Sequence, residues 1–399
     1  MNNNNTQNNN MKNIPFIIGF SFLLFLNQGC SKKGDGQQFE SGKTILVQFD
    51  PDKYPPLDSF ISEITVIPLE TNEKCLLRDQ FHGVKVHKGL IYFNNMAQEL
   101  YVFDMNGKFI REISSRGPGP GQFSFLHDFI FTDEGTIELL DYQKIECFTL
   151  EGEHIGTKRF NTIRDSLYLN PVNFCRSFTF GYYFWGGMRY GNNTQQPQNE
   201  NLLYRLNSDM QIEAGFLDTK FGDGGTENRF KYYQNRILFV RSSIDYNVYQ
   251  IDSNDSLSIR YTFDFGKYGI KVGKDDDKTT VPADVREDYV FDMHKYEETD
   301  HYLSFNFRYK TLSLVLLYSK ATGQTFIKSY WPASNGKEMR LYTPYATYND
   351  QLVAVVQIPW LKMDLERMSL ENIKKWGLEK YQNLNDDDNQ ILILYKTKF

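Results

Sequence analysis

Two stretches of the chain share one pattern of apolar and polar positions. Residues 100–113 read LYVFDMNGKFIREI, and residues 145–158 read IECFTLEGEHIGTK. A shift of 45 residues aligns them and places Gly107 opposite Gly152. Each copy alternates apolar and polar residues on both sides of a glycine turn, which is the pattern of a β-hairpin. A strand-rich repeat of about 40–50 residues is typical of the blades of a β-propeller.

Similar hairpins recur along the rest of the chain, so we predict an all-β fold, a six-bladed β-propeller. The predicted blades use residues 84–113, 128–158, 178–216, 236–266, 301–329, and 341–359 with 390–399. An opening strand at 64–71 precedes them. Because unpaired terminal strands would leave exposed sheet edges, we expect this strand to pair with residues 391–395 in the last blade.

Two segments interrupt the strand pattern. Residues 283–297 show no strong alternation, which predicts a short helix or loop between the fourth and fifth blades. Residues 361–381 place apolar residues near helical spacing, and Ser369 is a suitable N-cap. We therefore expect a short helical insertion in the last blade, packed on one end of the propeller.

The first 29 residues have the pattern of an export signal. After an Asn-rich start and Lys12, residues 14–26 form an apolar segment too short to span a membrane. Gly29-Cys30 then resembles a bacterial lipobox, although Asn27 stands where that pattern has an apolar residue. We expect acylation of Cys30 and membrane anchoring through its acyl chains. The alternative is an ordinary secretory signal with an incidental cysteine.

These patterns divide the chain into a lipoprotein signal peptide (1–29), a flexible tether (30–58) and a six-bladed β-propeller (59–399). The expected location is the cell envelope, at the periplasmic or the surface face of the outer membrane. Removing residues 1–29 takes away one lysine and no acid, which lowers the formal net charge from −6 to −7. A nucleic-acid partner needs clustered basic residues, so this class of function is excluded.

Several segments together resemble a known family. They are FDMNGKFIREI (103–113), RGPGPGQFSFLHDF (116–129), VYQIDSNDSLSIRYTFDFGKY (248–268) and DDDNQILILYK (386–396). From about residue 60 onward the chain resembles the six-bladed β-propeller lipoproteins of unknown function of Bacteroides-like bacteria, which are distant relatives of NHL-repeat propellers. The resemblance implies the fold and the compartment. It implies no agreed activity and supplies no catalytic residues.

The candidate ligand-binding residues surround the start of the second blade: Arg116, Gln122, His127 and Asp128. Arg116 would clamp an anionic or carbonyl group with its planar fork of donors. His127 and Asp128 would hydrogen-bond polar groups or shuttle protons near neutral pH. The alternative is that Arg116 and Asp128 tie adjacent blades together.

The Gly/Pro run 117–121 next to these residues is not a phosphate-binding loop. Such a loop needs consecutive backbone N–H groups, and Pro118 and Pro120 have none. We interpret the run as a rigid connection between blades.

Other chemistry-bearing residues form no recognisable set. The six histidines show no short-spaced ligand pair, and Cys75, Cys147 and Cys175 form neither a disulfide framework nor a zinc site. We therefore predict no metal and no cofactor. The acidic runs 275–277 and 386–388 are expected to be solvated turns, and the aromatic stretch 178–190 is expected to be mostly core. Ser166 and Ser256 match a short O-glycosylation pattern.

The sequence is most compatible with a binding or scaffold module for a glycan, a peptide or an envelope protein. A metal-assisted lyase or hydrolase with its site at the propeller funnel is the alternative. A structural envelope component without a small ligand is a third hypothesis.

Overall fold

The alternating segments fold into six sheets of four antiparallel strands, and one sheet gains a fifth strand. The first strands of neighbouring sheets contact one another, so the sheets form the blades of a six-bladed β-propeller. This confirms the predicted fold. The computed structural model describes residues 39–77, 81–95, 99–113, 116–161, 163–164, 167–179, 181–186, 201–218, 229–241, 244–270, 288–330 and 337–399.

Two strands precede the first blade, β1 (Lys43–Leu46) and β2 (Ile61–Pro68). Blades I to III then run from the innermost to the outermost strand in chain order. Blade I contains β3 (Phe81–His87), β4 (Leu90–Asn95), β5 (Leu100–Asp104) and β6 (Phe109–Glu112). Blade II contains β7 (Asp128–Phe131), β8 (Thr136–Leu140), β9 (Lys144–Thr149) and β10 (His154–Arg159). A small pair, β11 (Ile163–Arg164) and β12 (Leu167–Tyr168), precedes blade III, which contains β13 (Pro171–Arg176), β14 (Gly181–Gly186), β15 (Asn201–Asn207) and β16 (Ile212–Asp218).

The remaining blades follow the same order. Blade IV contains β17 (Lys231–Tyr233), β18 (Arg236–Val240), β19 (Asn247–Ile251) and β20 (Leu257–Asp264). Blade V contains β21 (Val290–Glu298), β22 (Tyr302–Tyr309), β23 (Leu312–Ser319) and β24 (Thr325–Ser329). Blade VI contains β25 (Pro344–Tyr348), β26 (Gln351–Val356) and β27 (Ile391–Thr397), with β2 as its outermost strand. Short 3-10 helices are η1 (Leu57–Ser59), η2 (Gly266–Tyr268) and η3 (Glu379–Tyr381).

Blade VI joins the opening strand to the last strand of the chain. β2 pairs antiparallel with β27, with Ile64 opposite Tyr395 and Val66 opposite Ile393. This confirms the predicted closure of the ring. The pairing covers the edge that β27 would otherwise expose.

Residues 43–46 correct the prediction that a flexible tether reaches residue 58. They form β1, which pairs in parallel with β20 at the outer edge of blade IV and places Lys43 opposite Tyr261. Gly42 permits this close approach, because a Cβ atom there would lie 2.2 Å from the carbonyl oxygen of Arg260. The physical reason is that β20 offers unpaired backbone groups along its edge, which β1 satisfies.

The prediction of a short helix or loop at 283–297 is wrong for residues 290–297, which belong to β21, the innermost strand of blade V. The register shifts between Phe291 and His294 and again between His294 and Glu297. Each shift is a bulge that interrupts the two-residue alternation. Because the strand lacks a regular alternation of apolar and polar residues, its sequence pattern does not predict it. The predicted blades III and IV likewise begin too late, since their first strands are β13 and β17.

The helical insertion predicted at 361–381 is confirmed by helices α1 (Ile358–Arg367) and α2 (Leu370–Lys375). The Ser369 hydroxyl accepts a hydrogen bond from the backbone N–H of Asn372 at 3.2 Å and is the predicted N-cap. In α1, buried Asp364 pairs with Arg340 at 2.7 Å, which fixes the insertion to the connection before blade VI. Within the part of the chain that the structure describes, no helix is long and apolar enough to cross a membrane.

The connections differ between the two ends of the propeller. Hairpins from first to second strand, and from third to fourth, are short, such as Lys88-Gly89 in blade I and Asn349-Asp350 in blade VI. We call this end the turn face. The other end, the loop face, carries the connections between blades and between second and third strands, such as residues 113–127 before β7 and residues 357–390 before β27.

Apolar side chains fill the space between neighbouring blades. Tyr92 and Val102 of blade I, for example, pack with Phe129 and Ile137 of blade II in one buried cluster. Burying one large apolar side chain is worth about 1.5–3 kcal/mol. The packing between blades is therefore the main source of stability.

Two buried glutamates also join neighbouring blades near the turn face. Glu298, at the end of β21, accepts hydrogen bonds from Arg260 of blade IV at 2.7 and 3.0 Å and from the Tyr296 hydroxyl at 2.6 Å. Lys320 lies 2.7 Å from the same carboxylate. Burial by itself would raise the pKa of Glu298, but the hydrogen bonds from Arg260 and Lys320 outweigh it, so the pKa is lowered.

Glu138 on β8 has an equivalent environment between blades II and III. Its carboxylate accepts hydrogen bonds from Arg176 at 2.6 Å, Lys158 at 2.8 Å and the Tyr182 hydroxyl at 3.0 Å. Burial opposes ionisation here too, and the hydrogen bonds from Arg176 and Lys158 still lower the pKa of Glu138. Both glutamates are thus held as carboxylates that bind the blades together.

Candidate functional site

The connection from β6 to β7 is held in place by its own polar groups. The backbone N–H of Gly119 donates to Gln122 Oε1 at 2.9 Å, and Lys144 Nζ donates to the Gln122 carbonyl oxygen at 2.7 Å. A backbone hydrogen bond of 3.0 Å joins Gly117 to Phe123. These bonds agree with the predicted rigid connection. Gln122 is occupied in forming it, whereas Arg116 at its start is exposed.

Asp141, in the connection between β8 and β9, fixes the end of this segment. Its two carboxylate oxygens accept hydrogen bonds from the backbone N–H groups of Ser124 at 2.9 Å and Phe125 at 3.1 Å. The chain therefore reaches His127 and Asp128 at the start of β7 in a fixed direction.

Three rings lie together at the loop-face mouth of the central channel. The ring of His127 lies 4.6 Å from that of Phe125 and 4.9 Å from that of Tyr142. We call these three residues the mouth aromatic group. Tyr142 is 47% exposed, so one side of the group faces solvent. A rigid aromatic surface with a hydroxyl at its edge is suited to contact with a ligand.

His127 is neutral at physiological pH. Burial lowers its pKa to about 4, and the nearby Asp141 carboxylate only partly opposes this effect. Its Nε2 atom is buried and has no hydrogen-bond partner among the residues that the structure describes. A neutral imidazole in this position contributes an aromatic surface without adding charge to the mouth.

Asp128 lies deeper than His127, on the innermost strand of blade II. It is 6% exposed, and its Oδ1 atom lies 2.9 Å from Lys85 Nζ on the innermost strand of blade I. Its Oδ2 atom accepts hydrogen bonds from Asn173 Nδ2 at 3.4 Å and from the Phe174 backbone N–H at 3.3 Å, both in blade III. These are the contacts that the alternative role of Asp128, a tie between blades, requires.

A second ion pair lies in the other half of the channel. Lys231 on β17 pairs with Glu297 on β21, and Glu297 also accepts a hydrogen bond from the Thr347 hydroxyl on β25 at 3.3 Å. We call Lys85, Asp128, Lys231 and Glu297 the channel ion pairs. Together their contacts reach the innermost strands of all six blades.

The channel ion pairs are costly to separate. Burial raises the pKa of Glu297 despite the neighbouring Lys231, and burial lowers the pKa of Lys85 despite the neighbouring Asp128. Glu297 and Lys85 are therefore stable as charged groups in the channel only because their partners are present.

Sequence reasoning missed a further polar surface, which lies on β21. Asp292 and His294 keep 25% and 29% of their side chains exposed, whereas Met293 is fully buried in the core. His294 Nδ1 donates to the Asp292 carbonyl oxygen at 2.6 Å. The Lys295 ammonium lies 3.8 Å from the centre of the Tyr345 ring on β25. We call Asp292, His294, Lys295 and Tyr345 the β21 wall.

The β21 wall has an unusual backbone. Asp292 has a φ of 59° and Lys295 a φ of 53°, so two non-glycine residues of one strand adopt the left-handed conformation. Each such residue costs of order 1–3 kcal/mol unless its surroundings hold it. No other innermost strand has a non-glycine residue with positive φ in its described part. The two bulges of β21 accommodate this backbone and set the directions of its side chains.

The comparisons with known proteins concern the whole propeller. A family model described as "Domain of unknown function (DUF4934)" matches residues 46–396, which include all six blades. The chain belongs to this family. The match confirms the predicted resemblance to a propeller family of unknown function.

Three of the solved structures similar to this DUF4934 protein come from Bacteroides species. A Bacteroides fragilis NCTC 9343 protein described as exported is 16% identical, with a TM-score of 0.69, over 90% of this chain and 100% of that chain. A member of the duf4221 family from Bacteroides vulgatus is 12% identical, with a TM-score of 0.49, over 85% and 97%. An auxiliary nutrient binding protein from Bacteroides thetaiotaomicron is 11% identical, with a TM-score of 0.41, over 71% of each chain. The first likeness shows the fold, and no curated protein matches.

Several other predicted residues of the DUF4934 protein can be located. Tyr183 and Trp185 are buried, as expected of an aromatic stretch that is mostly core. Asp386 is exposed and pairs with Lys362 at 2.8 Å. Ser256 is exposed in the turn before β20. Cys30, Ser166 and the run 275–277 lie outside the described residues, within which no group of three or more potential metal ligands comes together.

Proposed function

We propose that this DUF4934 protein is a lipid-anchored module of the cell envelope that binds a glycan, a peptide or an envelope protein at its loop face. The mouth aromatic group carries the proposal. It combines an exposed tyrosine, a neutral histidine and a connection fixed by its own hydrogen bonds. A surface that is ordered before the ligand arrives loses little entropy on binding.

The position of this group supports a binding role. It lies where the connection from blade I meets the innermost strand of blade II, beside the channel. Loops that vary without disturbing the strands are where propellers and other rigid scaffolds place their binding residues. Arg116 lies at the start of the same connection and extends the proposed surface toward solvent.

The lipid anchor is the second part of the proposal. An apolar segment followed by Gly29-Cys30 supports it. Cys30→Ser should release the protein from membranes into the soluble fraction after a carbonate wash. Full membrane retention of this variant would contradict the anchor without affecting the binding site.

Nothing among the described residues favours the hypothesis of a metal-assisted lyase or hydrolase over binding. His127 has a low pKa, and Asp128 is already engaged with Lys85 and blade III. A catalytic pair would require at least one of them to exchange protons near neutral pH.

Arrays of glycans and of peptides test the binding proposal directly. Wild-type protein should bind a subset of array members, and the double variant His127→Ala/Tyr142→Ala should lose that binding while keeping its melting temperature. His301→Ala is the matched control, because His301 is an exposed histidine on the turn face. Unchanged binding by the double variant would refute the assignment of the site.

A further inference from the structure

The β21 wall lies on the loop-face side of the channel ion pairs. β21 runs from the loop face to the turn face, so Asp292 and Lys295 precede Glu297 on the way down the channel. On blade VI, Tyr345 likewise precedes Thr347. A ligand that enters from the loop face would therefore meet the β21 wall before it reaches the channel ion pairs.

The wall extends across three blades. Lys295 of blade V contacts the ring of Tyr345 of blade VI, and that ring contacts Phe81 of blade I at 4.5 Å between centroids. The two rings are perpendicular, an arrangement that fixes both of them. Lys295 is thus held on an ordered aromatic support, which fixes the direction of its ammonium group.

The charges of the channel identify the kind of ligand that fits. Apart from Arg176 and Glu298, which pair with residues of other strands in the buried clusters near the turn face, the six innermost strands carry three basic and three acidic residues: Lys85, Lys231, Lys295, Asp128, Asp292 and Glu297. Their formal charges cancel. A charged ligand would disturb this balance in a partly buried space, where an unmatched charge is costly. A neutral ligand rich in hydroxyl groups would not.

We propose that the β21 wall is a binding subsite for a neutral, hydroxyl-rich ligand, namely an uncharged saccharide unit. The Asp292 carboxylate accepts hydrogen bonds from hydroxyl groups, and the Lys295 ammonium donates to them. His294 is oriented by its bond to the Asp292 carbonyl oxygen and completes the row. The inference rests on the proposed function, since it names the ligand class for the same loop-face opening.

A glycine substitution separates binding from structure at Lys295. Glycine adopts a positive φ without strain, so Lys295→Gly should fold with a melting temperature within about 3 °C of wild type while it loses the ammonium group. Lys310→Gly is the matched control. Lys310 has a φ of 54°, lies on the loop face between β22 and β23, and contacts a tyrosine ring at 5.5 Å outside the channel.

The probes are neutral oligosaccharides (glucans, mannans, galactans and xylans), with oligogalacturonate as the carboxylated counterpart, titrated calorimetrically. Wild type and Lys310→Gly should bind a neutral member equally. Lys295→Gly and Asp292→Asn should each bind it about tenfold or more weakly, which corresponds to the loss of one charge-assisted hydrogen bond.

The outcomes distinguish this inference from the proposed function. If Lys295→Gly and Asp292→Asn bind as wild type but His127→Ala/Tyr142→Ala does not, the β21 subsite is wrong and the loop-face site stands. Binding of oligogalacturonate alone would overturn the neutral ligand class. A lower melting temperature of Lys295→Gly with unchanged affinity would show that the β21 wall is only structural.

Discussion

The turn face and the loop face are built on the same 24 blade strands, but they differ in their connections and in their polar side chains. Near the turn face, short hairpins join the strands within each blade, and the buried carboxylates of Glu138 and Glu298 bind neighbouring blades together. Near the loop face, long connections surround a channel whose described side chains include a neutral histidine and the partly exposed β21 wall. The difference places the buried carboxylates that join blades near one end of the propeller axis and the proposed binding surfaces near the other.

Deleting residues 390–399 should unfold both faces, because both depend on a closed ring of blades. β27 lies between β26 and β2, so its loss removes two strand pairings at once. We expect no cooperative thermal unfolding in circular dichroism. Retention of a wild-type melting curve would disprove the closure through blade VI.

Glu298→Gln should have the next largest effect, a loss of about 3–5 kcal/mol of unfolding free energy. The substitution leaves Arg260 and Lys320 without their buried counter-charge. Chemical denaturation measures the change. Glu338→Gln is the control, since Glu338 is a part-exposed glutamate that pairs with a single lysine, Lys328, at 2.9 Å. Equal losses of unfolding free energy in both variants would show that the buried Glu298 cluster contributes no more to stability than the part-exposed pair of Glu338 and Lys328.

The same turn-face carboxylates should set the stability at acid pH. The pKa values of Glu138 and Glu298 are lower in the folded protein than the ordinary value of 4.5. Their contribution is therefore complete above about pH 4.5 and is lost as the pH falls through the lowered folded-state pKa. The stability difference between wild type and Glu138→Gln/Glu298→Gln should shrink over this range. A difference that stays constant from pH 7 to pH 3 would contradict the assignment.

Replacing a glycine with alanine should lower the unfolding free energy more on the turn face than on the loop face. Gly107 on the turn face has a φ of +81°, and a Cβ atom there would lie 2.0 Å from the Pro68 carbonyl oxygen, so Gly107→Ala should cost about 2–4 kcal/mol. On the loop face, a Cβ at Gly119 would lie 2.8 Å from the side-chain oxygen of Gln122, which can rotate away at the cost of its hydrogen bond with the Gly119 backbone N–H. Gly119→Ala should cost about 1 kcal/mol or less. Equal melting temperatures of Gly107→Ala and Gly119→Ala would show that the two faces do not differ in their tolerance of a Cβ atom.

The smallest effect on stability is expected at Arg116. Arg116 is exposed, so Arg116→Ala should change the unfolding free energy by less than about 0.5 kcal/mol, while ligand binding at the loop face falls. Asp128→Asn supplies the contrast, because it breaks the ion pair with Lys85 and should lower the melting temperature. A clear drop in melting temperature for Arg116→Ala would instead make Arg116 a tie between blades.

The predictable part of the fold was local. Alternation and turn chemistry located blades I and II, because Asn106-Gly107 and Glu151-Gly152 specify hairpins within a few residues. The helical insertion with its Ser369 cap was equally readable, since a cap acts over three residues. β21 escaped notice because its bulges, near Asp292 and Lys295, remove the periodicity on which strand prediction depends.

The sequence by itself determined the repeat, the hairpins and the closure of the ring, because these follow from alternation, from turn residues and from the need to cover sheet edges. Only the tertiary structure decided which polar residues meet in the channel. Lys85 and Asp128 are 43 residues apart and pair because blades I and II stand side by side. Asp128 consequently lies in an ion pair rather than at a free surface. The β21 wall lies on an innermost strand that shows no regular alternation of apolar and polar residues. Contacts between blades depend on how whole sheets pack, and no local pattern encodes them.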